Sequence, residues 1–397
     1  MERPHPGGVV VAAFIFWLSV LFIAYTYLGY PCLMGLIAHV RPRPIHRQPG
    51  HAPRLSIVIA ARNEAHHIVA RLKNLQAQHY PGERIEIIVV SDGSTDSTAQ
   101  QAQRMAVLDD RIRVLERGKQ QGKAASLNEA VAEATGEIVV FTDARQRFAP
   151  DALSRLAENF ADPAMGAVSG QLVLTHDENG VAAQVSLYWR YEKWIRRAES
   201  TGGSMLGATG AIYAIRRKLY RALPAGLLLD DFLVPMRIVL RGQRAGFDER
   251  ALAYDRSSVH AGQEFRRKVR TLAGNFQAFA VEPALLIPWR NRSTWFQLWS
   301  HKLFRLIVPY ALVFVLLSSL MADGWFYFLL AGIQVVFYAA AVAAWRLEVQ
   351  GHTIQWRLVS LAYTFSTLNL AAVLGLWFWL TGIRADRLWQ KTDVPTE

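Results

Sequence analysis

Residues 138–142 (IVVFT) run without a charge into one acid, Asp143. Ile138, Val139 and Val140 are β-branched and show no alternation of polar with apolar positions. That pattern describes a strand buried on both faces, and so commits the chain to a sheet covered by helices on each side. In open α/β sheets ligands gather at the carboxyl ends of strands. Asp143 therefore stands where a carboxylate can hold a divalent cation, and Asp oxygens suit Mg²⁺ or Mn²⁺. The same residue also fits a turn ahead of Ala149-Pro150-Asp151, a helix start with Pro near its first position. Position alone does not separate the two.

The neighbouring segments repeat the pattern. Residues 55–60 (LSIVIA) and 85–90 (IEIIVV) read as strands, and 112–115 as a shorter one. Helices are expected from Asn63-Glu64 to Leu75, over 97–106 and over 122–134. Strands alternating with helices at these intervals predict a mostly parallel, doubly wound sheet within a domain spanning 53–260. The first strand ends in Ala60-Ala61-Arg62-Asn63-Glu64. Small residues such as Ala61 let a flat base approach the backbone, and Glu64 can accept a bond from a ribose or base. The second ends in Asp92-Gly93-Ser94-Thr95-Asp96, where Asp92 can accept an imide N–H and Gly93 permits close approach. Each stretch is equally a good turn and helix cap. Their meeting at adjacent strand ends, beside Asp143, is what gives them weight.

Gly122-Lys123 opens the next helix, and a cation among free backbone N–H groups suits a diphosphate. The spacing is not that of a Walker A loop. Gly207-Ala208-Thr209-Gly210 offers a floor of small residues, with Thr209 and Gly210 placed to meet a sugar ring. Asp230-Asp231 begins a helix ending near Arg241-Gly242, where both acids also favour the helix N-terminus. His260 is a candidate metal or phosphate contact.

Composition bears on where this domain sits. Of 397 residues, 52% are hydrophobic, and they crowd the two ends of the chain. Residues 9–30 carry no charge and are long enough to span a bilayer. The run is too long for a signal-peptide core, so a retained helix is expected within 1–40. A basic, Pro-punctuated linker follows over 41–52, and positive charge marks the cytoplasmic side. Residues 184–197 and 263–280 read as basic amphipathic helices of an interfacial kind, the latter within an interface region 261–300. Further apolar segments lie at about 303–322, 326–345 and 358–381, within 301–383, followed by a tail, 384–397. Four crossings starting outside leave the tail outside, whereas Arg384, Arg387 and Lys391 favour the inside. Either the last segment re-enters or the tail charge does not decide. The net charge is +12, and 36 of the 44 basic residues are Arg. With no Arg/aromatic RNA-binding signature, this points to membrane lipids and phosphates rather than to nucleic acid. Cys32 is the only cysteine, which excludes a disulfide framework.

Taken together, SIVIAARNEA, VVSDGSTDST, GKAASLNEA, VVFTDA, GATGAIYAIRR and LLLDDFLVP resemble the membrane-bound family 2 glycosyltransferases, relatives of cellulose, chitin and hyaluronan synthases. The resemblance covers about residues 55–300 and implies a GT-A nucleotide-sugar fold, a UDP-sugar donor and Mg²⁺ or Mn²⁺. It implies that Asp92 contacts uracil and that Asp143 is the retained first acid of a metal-binding DxD pattern, with Arg145 in place of the second. Asp231 corresponds to the general base that deprotonates the acceptor hydroxyl, with Asp230 beside it. Gln263-Glu264-Phe265-Arg266-Arg267 stands where the family carries Gln-x-x-Arg-Trp. Arg266 and Arg267 are then candidate diphosphate clamps, and the acceptor-stacking Trp is absent.

The function expected is an inverting transferase in the cytoplasmic membrane, multi-pass, its catalytic domain facing the cytoplasm. It would extend a β-linked polysaccharide, or as an alternative glycosylate a lipid-linked acceptor without processivity. The scarcity of ionisable residues inside the apolar segments argues against an ion-coupled carrier.

Overall fold

The computed structural model describes residues 6–175, 182–256, 261–288, 292–350 and 356–382. His260 and the tail 384–397 fall outside them.

One eight-stranded sheet organises residues 55–256. Its first half is built by β1 (Leu55–Ala61), α3 (Ala65–Gln76), β2 (Ile85–Asp92), α4 (Thr98–Leu108), β3 (Ile112–Arg117), α5 (Lys123–Glu133) and β4 (Ile138–Thr142). They follow α1 (Pro6–Ala24) and α2 (Tyr30–Val40). The second half comprises β5 (Arg147–Phe148), α6 (Ala152–Glu158), β6 (Met165–Thr175), α7 (Ala182–Gly202), β7 (Tyr213–Arg216), α8 (Asp230–Leu240) and β8 (Arg244–Arg256). Strand order is β3-β2-β1-β4-β7-β6-β8-β5. The β3-β2-β1-β4 half is parallel, as the sequence pattern predicts. Beyond β4 the sheet is mixed: β7 runs antiparallel to both neighbours, and β6 pairs with β8 in parallel. The result is mostly parallel.

β4 sits in the middle of that order because it is apolar on both faces. Val139 and Phe141 enter the core shared with α5 and α8, while Ile138 and Val140 enter the core under α3 and α6. Each such chain stabilises the fold by roughly 1.5–3 kcal/mol relative to exposure. The register pairs Ile59 with Thr142 and Ala61 with Ser91, so three strand tips end along one edge.

The helices α9 (Ala261–Val281), α10 (Arg292–Gln297), α11 (Phe304–Met321), α12 (Trp325–Val349) and α13 (Arg357–Thr381) complete the chain. Among the described residues, four helical stretches are long and apolar enough to cross a membrane: Gly7–Val40, Ser293–Met321, Trp325–Val349 and Arg357–Thr381. The first is not a uniform α-helix. Tyr25–Gly29 is π-helical and ends two residues before Pro31. Pro31 has no N–H to offer the carbonyl of Tyr27. The Tyr191 hydroxyl of α7 donates to that carbonyl instead, at 2.7 Å.

The two basic amphipathic helices, α7 and α9, tie the sheet to these apolar helices. Tyr30 and Met34 of α2 share a buried cluster with Ile195 and Ala198 of α7. Phe279 of α9 meets Phe232 of α8 edge-on at 6.0 Å, and Phe276 stacks on Trp379 of α13 at 5.9 Å. At the α9–α13 crossing a Cβ on Gly375 would lie 2.9 Å from the backbone nitrogen of Ala273, so only glycine lets the backbones meet there.

Candidate active site

At the strand-tip edge a lysine and three acids converge. Lys123, the first residue of α5, places Nζ 3.0 Å from Asp143 Oδ1 and 3.4 Å from Asp230 Oδ1. Asp231 faces the same point: its Oδ2 accepts the Gly210 N–H at 2.9 Å. A Cβ on Gly210 would come within 3.2 Å of that oxygen and 3.7 Å of Lys123 Nζ. The small-residue floor thus lies against both groups. Gly207 adopts φ +80°, a region glycine enters without strain, and packs on Phe232. Thr209 is fixed through its N–H, which the Ser169 hydroxyl accepts at 3.1 Å.

The charges are unequal in environment. Burial and the adjacent Asp230 push Asp231 up to about 6, against the opposing pull of Lys123 and the Gly210 N–H. Burial would likewise raise Asp143, but Lys123 outweighs it and holds this carboxyl below its ordinary value. Lys123 itself would be depressed by burial; Asp143, Asp230 and Asp231 together raise it instead. Asp230 is buried and accepts the Tyr213 hydroxyl at 3.1 Å. Asp231 pushed up while Asp143 is held down marks a site where one carboxyl can take a proton near neutral pH.

Asp92 is buried at the end of β2, and both its oxygens are engaged. Oδ1 accepts the N–H of Gln121 and Oδ2 that of Gly122, each at 2.8 Å. It thereby fixes the loop that launches α5 and aims Lys123. Gly93, at φ +62°, lies so close to this loop that a Cβ would be 2.5 Å from the Gln120 nitrogen. Ala61 is buried at the tip of β1, and Glu64 forms the N-cap of α3, its N–H bonded to Thr98 Oγ1 at 2.8 Å. Asn63 holds φ +51° and accepts the Thr95 N–H, joining the β1 and β2 tips.

Of the two candidate clamps on α9, Arg266 is exposed, and Arg267 lies 3.7 Å from Glu264. The arginine of this helix that senses the site is Arg270. Burial and Arg267 lower its pKa, while Asp231, Asp143 and Asp230 pull it back. Arg270 stands four residues after Arg266 and three after Arg267. Helical spacing shows it shares their side of α9, but not which of the three is turned inward. Arg71 was also hidden. It is buried on α3 behind β4, donates to Thr142 Oγ1 at 2.7 Å and lies 4.0 Å over the Phe148 ring. Burial pushes it down to about 9, opposed by Asp143. Its place three residues after Ile68 and one before Leu72, both buried, was the signal that it points inward.

Among the described residues, no three His, Cys, Asp or Glu side chains converge as a metal cage. Asp143 is the acid at the strand end, and Arg145 beside it is exposed. Such a donor set suits Mg²⁺ or Mn²⁺ that keeps water and diphosphate oxygens as further ligands, since Mg²⁺ is commonly held by one or two carboxylates plus phosphates.

Residues 56–223 match the family model described as Glycosyl transferase family 2. The chain carries a family 2 glycosyltransferase domain. The matched span contains Asp92, Lys123 and Asp143 and ends before Asp230. The domain is 29% identical over 221 residues to a β-monoglucosyldiacylglycerol synthase of a Nostoc species, covering 53% of this chain and 46% of that protein. It is 25% identical over 228 residues to a poly-β-1,6-N-acetyl-D-glucosamine synthase of Staphylococcus aureus, covering 56% and 55%. The chain spans about half the length of the curated relatives it matches. In structure it is similar to the mannosyltransferase PcManGT of Pyrobaculum calidifontis, solved with GDP-mannose and Mn²⁺. The TM-score is 0.72, with 24% identity, over 92% of this chain and 99% of that one. That likeness establishes the GT-A fold of the glycosyltransferase domain.

Proposed function

We propose that this protein transfers a sugar from a UDP-sugar to a hydroxyl of a membrane-held acceptor, with inversion at the anomeric carbon. The observation that carries the reading is Asp231, raised to about 6 and set against Gly210, Lys123 and Asp230 at the strand-tip edge. A sugar or glycerol hydroxyl is a weak nucleophile, so its proton must leave as the new bond forms. Asp231 accepts that proton; the hydroxyl oxygen bonds to the anomeric carbon; the bond from that carbon to phosphate breaks, and its electron pair departs with the nucleoside diphosphate. Lys123 and Arg270 hold the diphosphate and stabilise the charge that grows on it. Thr209 and Gly210 carry the sugar ring, while Ala61, Glu64 and Asp92 form the nucleotide side. Asp143 is the protein ligand for Mg²⁺ or Mn²⁺, which would supply Lewis-acid neutralisation of the diphosphate when bound.

The acceptor divides the readings between a growing β-linked polysaccharide and a lipid-linked molecule. Arg267 stands where the acceptor-stacking Trp is expected and lies near Glu264. That favours single addition to a lipid-linked acceptor over processive extension. The four apolar helices support residence in a cytoplasmic membrane, and the basic linker 41–52 supports a domain on the cytoplasmic side.

The test is a donor screen on the full chain in nanodiscs, with product linkage and size determined at early times. The expected result is turnover of one UDP-sugar, dependent on Mg²⁺ or Mn²⁺, giving a β-linked product from an α-linked donor. Retention of anomeric configuration or preference for GDP-mannose would remove the corresponding part of the reading. Long chains beside unused acceptor would restore processivity.

A further inference from the structure

Asp231 lies in the first turn of α8, and that turn has no side-chain cap. Leu229 holds the N-cap position, where Ser, Thr, Asp or Asn would close a free backbone N–H with a side-chain oxygen. Just ahead, Gly226 turns the chain at φ +72°. Two amide side chains from other helices grip this segment instead. Asn128 of α5 holds its start: Nδ2 donates to the Leu223 carbonyl at 2.9 Å, and Oδ1 accepts the Leu223 N–H at 2.8 Å. Gln277 of α9 holds its end: Oε1 accepts the Leu228 N–H and Nε2 donates to the Gly226 carbonyl, each at 2.9 Å. Each amide thus exchanges both kinds of bond with the chain, as a neighbouring strand would.

Around Gln277 the packing is close. A Cβ on Gly274, three residues earlier in α9, would lie 2.6 Å from Leu229 Cγ and 3.1 Å from Leu228 Cβ. The α9 backbone itself therefore bears on the residues that lead into α8. α9 rests in turn on α13, through Ala273 against Gly375 and Phe276 against Trp379. The course of residues 226–229 is fixed to α9, whereas Lys123 opens α5 and Asp143 follows β4. A base must come within hydrogen-bond reach of the acceptor hydroxyl, and a misplacement of about 1 Å can cost on the order of a hundredfold in rate.

We propose that Gln277 is a positioning residue for the transfer step: by clasping Gly226 and Leu228 it sets where α8 begins, and so where Asp231 meets the acceptor hydroxyl. This deepens the transfer reading above and rests on Asp231 as its base. Its action runs through the chain it holds, not through the donor or the metal.

Two readouts on the full chain in nanodiscs test it. Gln277→Met keeps an unbranched side chain and removes both bonds. Hydrogen exchange over residues 226–233 should quicken in this variant, while exchange over α5 stays as in the wild type. Its kcat should fall by roughly ten- to a hundredfold, with UDP affinity and donor KM near the wild-type values. Gln277→Glu retains the acceptor for Leu228 and loses the donor to Gly226, so its kcat should lie between the two. Arg250→Gln, which unties Asp248 in β8, is the stability control: its melting temperature should drop with kcat of the folded protein unchanged. Unchanged kcat in Gln277→Met would overturn the proposal, as would unchanged exchange or an equal loss of kcat in Arg250→Gln. Weaker donor binding with kcat retained would place Gln277 on the donor and overturn it too. Failure of the transfer reading shows separately, as unaltered turnover in Asp231→Asn beside the same quickened exchange in Gln277→Met.

Discussion

Two clusters of ionisable side chains, one at the strand tips and one where α2, α7 and the start of α11 meet, are built on opposite terms. At the strand tips Lys123, Asp143, Asp230 and Asp231 place three acids around one cation, with Lys123 and Asp143 partly exposed and Asp230 buried. At the helix junction Glu192, Glu199, His301, Arg305 and Tyr30 answer one another inside the structure. Burial would raise Glu192, yet Arg305 and His301 hold it well below the usual carboxylate range. Asp231 is driven the other way, up to about 6. A matched network fixes elements in place, whereas an acid crowded by like charge is ready to take a proton. The first kind of cluster should fail in stability when broken, the second in chemistry.

Asp231→Asn should give the largest effect. Removing a general base costs on the order of 10²–10⁴ in rate, so transfer should fall by about a thousandfold while UDP binding persists. Thermal unfolding in detergent should stay level or rise slightly, because one of two crowded acids has lost its charge. Unaltered turnover in this variant would end the base assignment.

Glu199→Ala should behave in reverse. It leaves His301 and Tyr30 without their shared acceptor, and breaking a buried pair costs roughly 3–5 kcal/mol. A marked drop in melting temperature is expected, with kcat of the surviving folded protein near that of the wild type. A lost kcat at unchanged melting temperature would mean that the junction takes part in the chemistry.

The comparison also shows which features the sequence declares. Strand-tip residues were legible because β4 is apolar throughout and a hydrophobic run shows where it ends. The parallel half of the sheet followed from the same signal. β6 and β8 did not: β6 carries Gly166, Ser169 and Gly170, and β8 carries Asp248, Glu249 and Arg250, so neither has a simple period. Asp248 is tolerated there because Arg250 and Asn159 bind it, which only the folded chain brings about. The junction network was illegible for a similar reason. Tyr30, Glu199 and His301 are distant in sequence, and each alone looks like an ordinary helix residue. Four apolar segments could be read from composition, but the π-helical turns could not.

Lys123→Met should fall below both effects already described. Lys123 pulls Asp231 down against burial and Asp230, so its removal should raise the pKa of the base further. The rise of kcat/KM with pH should move to higher pH, and donor affinity should weaken by roughly tenfold, as expected when one charged hydrogen bond of about 1.5 kcal/mol is lost. A lower rate with the pH profile unmoved would place Lys123 on the donor alone.

The smallest effect is the pH dependence of stability, and it separates the two clusters within the unmodified protein. Asp231 has a folded pKa above the ordinary value of 3.8. Between that value and about 6 the folded state binds more protons at this residue than the unfolded chain does. Its contribution to stability is therefore greatest at the acid end and declines as pH rises through that window. Glu192, Asp143 and Asp248 are depressed, so their contributions are present above the ordinary carboxylate range and are lost as pH falls. The wild type sums both trends. In Asp231→Asn only the second remains, so its melting temperature should climb more steeply from pH 4 to pH 6 than that of the wild type. Parallel curves for the two proteins would mean that Asp231 titrates alike in the folded and unfolded chain, and the crowding on which the catalytic reading depends would be absent.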